Sequence, residues 1–176
     1  MGEQQFTVSP MPIPESAIDQ AVARDTEIAS AMAAHLADVQ AARVYRDTAQ
    51  SIPNNTETAL SFTLATKNDG GVWSAGSPTR LTAPVGGWYL VVAHIYWDTN
   101  ATGYRALRLR WNGSITFGST ERAAHANARA YSVTSLLYLF VGDYAEAIVF
   151  QNSGGVRTIQ AVTATSPHFA MIKLAL

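Results

Sequence analysis

The fold is decided by the stretch at residues 105–119, which reads RALRLRWNGSITFGS. Asn112-Gly113 lies between two runs of β-forming residues, and Asn-Gly suits a two-residue hairpin turn because both turn residues need positive φ. Leu107 and Leu109 alternate with arginines, as in a strand that buries one face. The stretch therefore predicts two antiparallel strands joined by a tight turn.

The chain around this hairpin continues the same pattern. Short apolar runs are separated by KNDGG, PVGG, DTNATG and QNSGG, and Gly, Asn and Asp favour turns. No helical pattern separates the runs after residue 42, which indicates a mainly β sandwich rather than a parallel sheet. The strands expected are 43–46, 58–64, 88–97, 104–111, 115–119, 129–140, 144–150 and 168–174.

Residues 15–42 contain no Gly or Pro and are rich in Ala, so they predict a helix. Apolar residues recur at alternating spacings of four and three, with Asp25 in one seam position, which is typical of an oligomeric coiled-coil stalk. A lone amphipathic helix packed on its own domain would give a similar pattern, and Ala21 and Ile28 offer a slightly shifted seam. The stalk residues are Ile18, Val22, Ala29, Met32, Leu36 and Val39.

Residues 1–14 carry three alternate prolines, which favour an extended chain. One interpretation is a frayed terminus. The other is an attachment peptide that inserts four apolar side chains into a larger partner: Phe6, Val8, Met11 and Ile13.

Composition excludes several function classes. Charged residues make up 14% of the chain, against about 25% in an ordinary soluble domain, which indicates that part of the surface is buried against copies of itself. The net charge of −1 argues against nucleic-acid binding, and no apolar run is long enough for membrane insertion. The absence of cysteine excludes disulfides and thiolate chemistry and fits synthesis in a reducing cytoplasm.

An ordered series of landmarks begins after the predicted helix, at Phe62, Asn68, Trp73, Leu81, Gly87 and Tyr89. Its spacing resembles the signature of the complement globular-head and tumour necrosis factor jelly-roll family. The stretches RLTAPVGGWYLVV (80–92), SVTSLLYLFVGDYAEAIVFQNSGG (132–155) and SPHFAMIKL (166–174) resemble the family's central strand, its strand–Gly-Asp–strand unit and its closing strand.

This resemblance implies a ten-stranded jelly-roll head over residues 43–176 that forms a homotrimer. Joined to the heptad segment, the chain looks like fibre and receptor-binding proteins of tailed bacteriophages. That implies a virion structural protein made in the host cytoplasm, a fibre or capsid-decoration protein. It would contact other virion proteins through residues 1–14, and its outward head would have host-surface glycan as a candidate ligand. The alternative is a free lectin-like carbohydrate-binding module of a bacterial cell.

No catalytic or metal-binding motif emerges from the sequence. The four histidines are scattered, and the chain lacks a Gly-x-Ser-x-Gly elbow and a Walker phosphate loop. A calcium site using Asn68, Asp69 or Asp98 would lack the six to eight oxygen ligands that calcium takes. We therefore expect no enzyme activity, no cofactor and no metal.

Aromatic and arginine side chains are the remaining candidates for binding. Flat rings near strand ends stack on sugars or anchor protein contacts, and arginine is favoured over lysine at interfaces. Loops 100–103 and 153–155 are candidates for the outer tip of the head. The candidate ligand or subunit contacts are Trp73, Trp97, Tyr104, Arg105, Arg108, Arg110 and Trp111.

Overall fold

A computed structural model describes residues 14–37, 39–161 and 167–175 of the 176-residue chain. The chain divides into two units, Met1–Asp38 and Val39–Leu176. The second unit is the head, which thus begins at Val39, four residues earlier than expected. The four apolar residues of the attachment peptide, Phe6, Val8, Met11 and Ile13, lie outside the described residues.

The described part of the first unit forms a helix, α1, at Glu15–Ala37. Pro14 stands just before it, and the Pro14 carbonyl accepts the first backbone hydrogen bonds, from Ala17 and Ile18. Glu15 adds a negative charge in the first turn, where the helix dipole favours it.

The helix is shorter than the predicted 15–42, so the assignment of Val39 to the stalk is wrong. Val39 follows the helix, and residues 41 and 42 already belong to the first strand of the head. Ala41 and Ala42 are buried there by pairing with neighbouring strands. Tertiary pairing therefore overrides the helix preference of alanine, and the heptad seam ends at Leu36.

The described part of the head consists of twelve β-strands. Four of them have three residues or fewer. Their bounds are β1 Ala41–Tyr45, β2 Gln50–Ile52, β3 Thr58–Ala59, β4 Leu64–Asp69, β5 Arg80–Thr82, β6 Gly87–Trp97, β7 Asn100–Trp111, β8 Ile115–His125, β9 Arg129–Leu139, β10 Tyr144–Gln151, β11 Arg157–Ile159 and β12 His168–Lys173.

These strands form two antiparallel sheets. The seven-stranded sheet has the order β2-β11-β6-β12-β1-β4, with β9 also paired to β6. The five-stranded sheet has the order β3-β10-β7-β8, with β5 also paired to β10. From β2 to β7 and from β8 to β11 each strand lies in the opposite sheet from the one before it, so the chain crosses repeatedly between the sheets, as in a jelly roll.

The predicted Asn112-Gly113 hairpin is confirmed. Asn112 has φ of 47° and Gly113 has φ of 72°, and β7 and β8 pair on either side of them. The predicted strand 58–64, in contrast, is interrupted. Residues 58 and 59 pair in the five-stranded sheet, whereas the chain from Leu64 pairs in the other sheet. The chain crosses between the sheets here.

The core lies between the two sheets. On β6 the inward residues are the odd-numbered ones from Tyr89 to Trp97, and all are buried. Phe62 and Phe169 stack across the core with ring centroids 5.6 Å apart. Leu107 and Leu109 are fully buried, which confirms the alternation predicted for β7.

The head has two ends. At the base, the Lys173 N–H donates to the Gln40 carbonyl at 2.8 Å and the Leu174 N–H to the Trp88 carbonyl at 2.8 Å. At the tip, β6 ends at Trp97, about 30 Å along the strand from the base.

Candidate functional site

The outward side of the seven-stranded sheet carries a contiguous apolar face. Its four large exposed side chains have relative exposures of 43% for Trp88, 47% for Leu136, 42% for Tyr138 and 43% for Ile172. Strand register brings them together, because Trp88 lies opposite Tyr138 while Leu90 lies opposite both Leu136 and Ile172. We call these five residues the apolar sheet face.

The apolar sheet face forms because strand β6 does not alternate apolar residues with polar ones. Strand β6 reads GWYLVVAHIYW, so the side chains that point away from the core are mostly apolar too. A strand with two apolar faces is normally covered on both sides. The aromatic rings on this face also pack on each other: Trp88 and Tyr138 meet edge to face with centroids 5.7 Å apart.

His94 lies on the outer side of the same sheet, since it alternates with the buried residues of β6. Its Nδ1 is 2.8 Å from Ser132 Oγ. Burial lowers the pKa of His94 below its ordinary value.

The residues of the two predicted tip loops do come together, although residues 100–103 form the start of β7 and not a loop. The Tyr104 N–H donates to Asn152 Oδ1 at 2.7 Å, which ties the start of β7 to the loop after β10. Gly103 has φ of +75°, and a Cβ there would lie 2.6 Å from the Asn152 carbonyl oxygen. Glycine is therefore required both by the backbone conformation and by the close approach.

Gln151 organises this loop, although sequence reasoning did not single it out. It is fully buried, and its amide group donates to the carbonyls of Ile52 and Gly155. Its Oε1 accepts from the Ser153 N–H at 2.8 Å. In the sequence, only the turn residues QNSGG at 151–155 indicated a loop here.

Arg105 is buried within the head and cannot serve as an outward contact. It is only 2% exposed, its guanidinium lies 5.3 Å from the Trp97 ring centroid, and it donates to Asn100 Oδ1 at 3.0 Å. Its register with Leu107 and Leu109 places it on the inward side of β7. Arg105 and Trp97 therefore fix the structure of the tip.

Arg108 and Arg110 project from the opposite side of β7, where they form ion pairs within the same chain. Arg108 pairs with Glu57 and Glu121, and Arg110 pairs with Glu57. Burial raises the pKa of Glu57, but hydrogen bonds and charges from Arg110 and Arg108 outweigh it and bring the pKa below its ordinary value. The charges of Arg108 and Arg110 are thus largely balanced by Glu57 and Glu121 of the same chain.

The other predicted aromatic contacts are packed in the head. Trp73 and Trp111 are partly buried against the core, and Asn68 holds Trp73 with two hydrogen bonds of 2.9 Å to its backbone. Tyr104 stacks on Phe150 with centroids 5.3 Å apart. All three are therefore partly used in packing within the head.

Among the described residues, no group of three or more His, Asp or Glu side chains is placed to hold a metal ion. Within the same residues, no helix is long and apolar enough to span a membrane.

The head matches solved structures of murine APRIL, a tumour necrosis factor-family jelly-roll protein. The match to murine APRIL at pH 5.0 has a TM-score of 0.61 at 12% identity and covers 78% of this chain and 100% of that one. The fold is a tumour necrosis factor-like jelly roll. Structures of murine APRIL at pH 8.5 and pH 8.0 match with TM-scores of 0.58 at the same identity and coverage.

No protein-family model and no curated protein matches the chain. At 12% identity the likeness to APRIL concerns the fold alone, since one fold hosts many unrelated functions.

Proposed function

We propose that this protein is a homotrimeric structural component of a bacteriophage virion, a fibre or capsid-decoration protein made in the host cytoplasm. The apolar sheet face is the observation that carries the proposal. Trp88, Leu136, Tyr138 and Ile172 each leave more than 40% of their surface exposed on a single chain. A contiguous apolar patch of this kind marks an interaction surface.

The occupant we propose for the apolar sheet face is a second copy of the same chain. The low charge content, 14% of residues, supports burial of surface between copies. Three identical subunits can close a ring in which each one covers its neighbour, so no apolar face is left open.

The helix supports the same assembly. Ile18, Val22 and Met32 lie on one seam and are 51%, 59% and 62% exposed. A helix of 23 residues gains most of its stability from packing its apolar side. A three-stranded stalk would provide that packing and would keep three heads at high local concentration.

The remaining parts of the proposal concern contacts outside the trimer. Residues 1–14 would dock on other virion proteins, and the head would face outward, towards host-surface glycan. The role is non-enzymatic, without a cofactor, nucleic-acid binding or membrane insertion. Support for the docking role comes from the sequence pattern of residues 1–14.

Light scattering on the full chain tests the trimer. The expected mass is three times the 18.9 kDa of one chain, and a stable monomer would overturn the proposal. Mass spectrometry of purified phage particles tests the virion assignment. If the protein is instead absent from particles and found with the bacterial cell, the lectin-like alternative is supported.

Substitution of Phe6, Val8, Met11 and Ile13 by Ser tests the docking peptide while keeping its three prolines. The variant should remain trimeric but lose association with particles. Unchanged association would remove the docking role from residues 1–14.

A further inference from the structure

A pocket opens at the tip of the head, between the ends of β8 and β9. Its volume is about 360 Å³, at the lower end of the range for small-molecule sites. Three of its lining residues are basic and, among the described residues that line it, none is acidic. The lining consists of Arg122, Ala123, His125, Arg129, Ala130 and Tyr131.

Strand pairing explains why these residues meet. Strand β8 ends at His125 and β9 begins at Arg129, so a short turn brings both strand ends to the tip. Arg122 lies opposite Arg105 of β7. Arg129 lies opposite Trp97 of β6. The basic side chains of two strands are thus held around one opening.

The two pocket arginines are not neutralised by the protein. Neither Arg122 nor Arg129 makes an ion pair or a hydrogen bond with any residue in the described part of the chain. Glu121 precedes Arg122 but pairs with Arg108 on the other side of the strand. A guanidinium has five N–H donors in a fixed fork that matches a carboxylate. Two such forks are therefore available to an anion.

The floor of the pocket adds a polar group that also lacks a partner. Tyr131 is 95% buried, with a relative exposure of 5%, and its hydroxyl makes no hydrogen bond to the residues that the structure describes. Burial raises the pKa of Tyr131, while the nearby charges of Arg105, Arg122 and Arg129 act to lower it. The phenol oxygen therefore lies within the field of three guanidinium groups.

A second unpaired donor lies beneath Tyr131. Trp97 is 1% exposed, and its Nε1 is buried without a hydrogen-bond partner in the structure as described. Trp97, Arg105, Arg129 and Tyr131 also line a smaller cavity of about 10 Å³ at the tip. Unpaired buried polar atoms are few in native proteins. Of the six found among the described residues, Trp97 Nε1 and Asp98 Oδ1 belong to residues that line this smaller cavity.

We propose that this pocket, the tip pocket, binds a sugar residue that carries a carboxylate. Arg122 and Arg129 would hold the carboxylate, and the Tyr131 hydroxyl would hydrogen-bond to the sugar. The pocket volume suits one or two sugar residues. The inference rests on the proposed function only for the source of this sugar, an acidic glycan on the host surface.

The surrounding charge favours a small acidic sugar over a nucleic acid. Nucleic-acid binding requires a basic stripe that follows many phosphates, whereas this chain has a net charge of −1 and the tip pocket presents only two arginines.

Titration calorimetry on the full chain at low salt tests the tip pocket with matched sugar pairs. Glucuronate and galacturonate differ from glucose and galactose in the carboxylate, so we expect each acid to bind at least about tenfold more tightly than its neutral partner. Equal binding within a pair, or no binding of the acids, would overturn the proposal. Equal binding of inorganic sulfate would also overturn it, since that outcome describes an unselective anion site.

Variants locate the binding. Arg122→Gln and Arg129→Gln should each weaken uronate binding about tenfold, and Arg129→Lys should retain part of it. Tyr131→Phe removes only the hydroxyl and should weaken binding severalfold without loss of fold. Arg24→Gln on α1 removes the same charge far along the chain and should leave binding unchanged. Uronate binding that survives both glutamine variants would show that the tip pocket is not the site.

The trimer and virion tests are separate from this one. A monomer that binds uronate through Arg122 and Arg129 would contradict the proposed function and leave the tip pocket standing. A virion trimer that binds no acidic sugar would contradict the tip pocket alone.

Discussion

His94 on β6 and His168 on β12 lie directly opposite each other on the outer side of the seven-stranded sheet, and their rings stack. The ring centroids are 4.9 Å apart with an interplanar angle of 19°. Ser132 on β9 holds His94 from the other side through Nδ1. A proton added to His94 would place a positive charge against a neighbouring imidazole on a largely apolar surface.

This arrangement predicts that acid destabilises the head. Burial lowers the pKa of His94 below its ordinary value of 6.5, so near that pH the unfolded chain binds the proton more readily than the folded one. The free energy of unfolding should therefore be unaffected above about pH 6.5 and should decrease as pH falls through the window below it. Thermal unfolding of wild type and His94→Gln at about pH 7.5 and about pH 5.5 checks this. The variant should show the smaller decrease, and His125→Gln, at the exposed end of β8, should behave like wild type.

The ion-pair cluster around Glu57 predicts a modest loss of stability on Glu57→Gln. The substitution removes pairs to Arg108 and Arg110, yet the Glu57 side chain is 41% exposed, so solvent limits the loss to about 1 kcal/mol near neutral pH. Since the arginines hold the pKa of Glu57 below its ordinary 4.5, this contribution is present above that pH. It is lost as pH falls through the lowered value.

Chemical denaturation near neutral pH and in acid checks the Glu57 prediction. The difference from wild type should shrink in acid and in high salt. Lys67→Gln is the control, because it removes the exposed pair to Asp69 and should change stability very little. An equal loss in both variants would contradict the cluster's contribution.

The apolar sheet face predicts a variant that separates assembly from folding. Leu136→Glu places a charge on a side chain that is 47% exposed on one chain, so the head should still fold, but burial of the charge between copies is costly. Light scattering should show loss of the trimer. Ile115→Glu is matched, since Ile115 is 53% exposed and lies on the other sheet. It should remain trimeric, and assembly unaffected by Leu136→Glu would contradict the proposed interface.

Gly71 and Gly103 have similar backbone conformations, so replacing each by alanine distinguishes the cost of backbone strain from the cost of a steric clash. Gly71 has φ of +71° with no atom within 4 Å of an added Cβ, whereas at Gly103, with φ of +75°, the Asn152 backbone would be 2.6 Å away. Gly71→Ala should cost about 1 kcal/mol through strain alone. Gly103→Ala should cost at least about twice that, because the tip loops must also separate. Equal costs in denaturant unfolding would contradict the tight contact at the tip.

Local patterns predicted most of the sheet. The Asn112-Gly113 pair predicted the hairpin because a tight turn depends only on residues that are close in sequence. The apolar run after Gly87 predicted the central strand, β6. The strand over 58–64 was wrong because two buried residues, Leu60 and Phe62, stand where the chain changes sheet. An apolar run looks the same whether its residues pair in one sheet or pass between two.

The candidate site was less predictable, because it depends on contacts between distant segments. Arg105 was predicted to be an outward contact together with Arg108 and Arg110. It alternates with them on β7, however, and lies on the inward side of the strand with Leu107 and Leu109, where it is buried at the tip. The basic lining of the tip pocket comes from two strands. The residues next to Arg122 or Arg129 in sequence form no motif that indicates a binding site. Only strand register reveals that they face Tyr131 together.

The two ends of the head contribute differently to the structure. Gln40 and Lys173 join the first and last strands at the base through one backbone hydrogen bond. The turns at 98–99 and 126–128 lie at the tip, where they connect β6 to β7 and β8 to β9. Sequence in those turns can diversify without disturbing the strands that anchor the chain. The same separation makes the turn at 126–128 a suitable place to graft a foreign peptide for display.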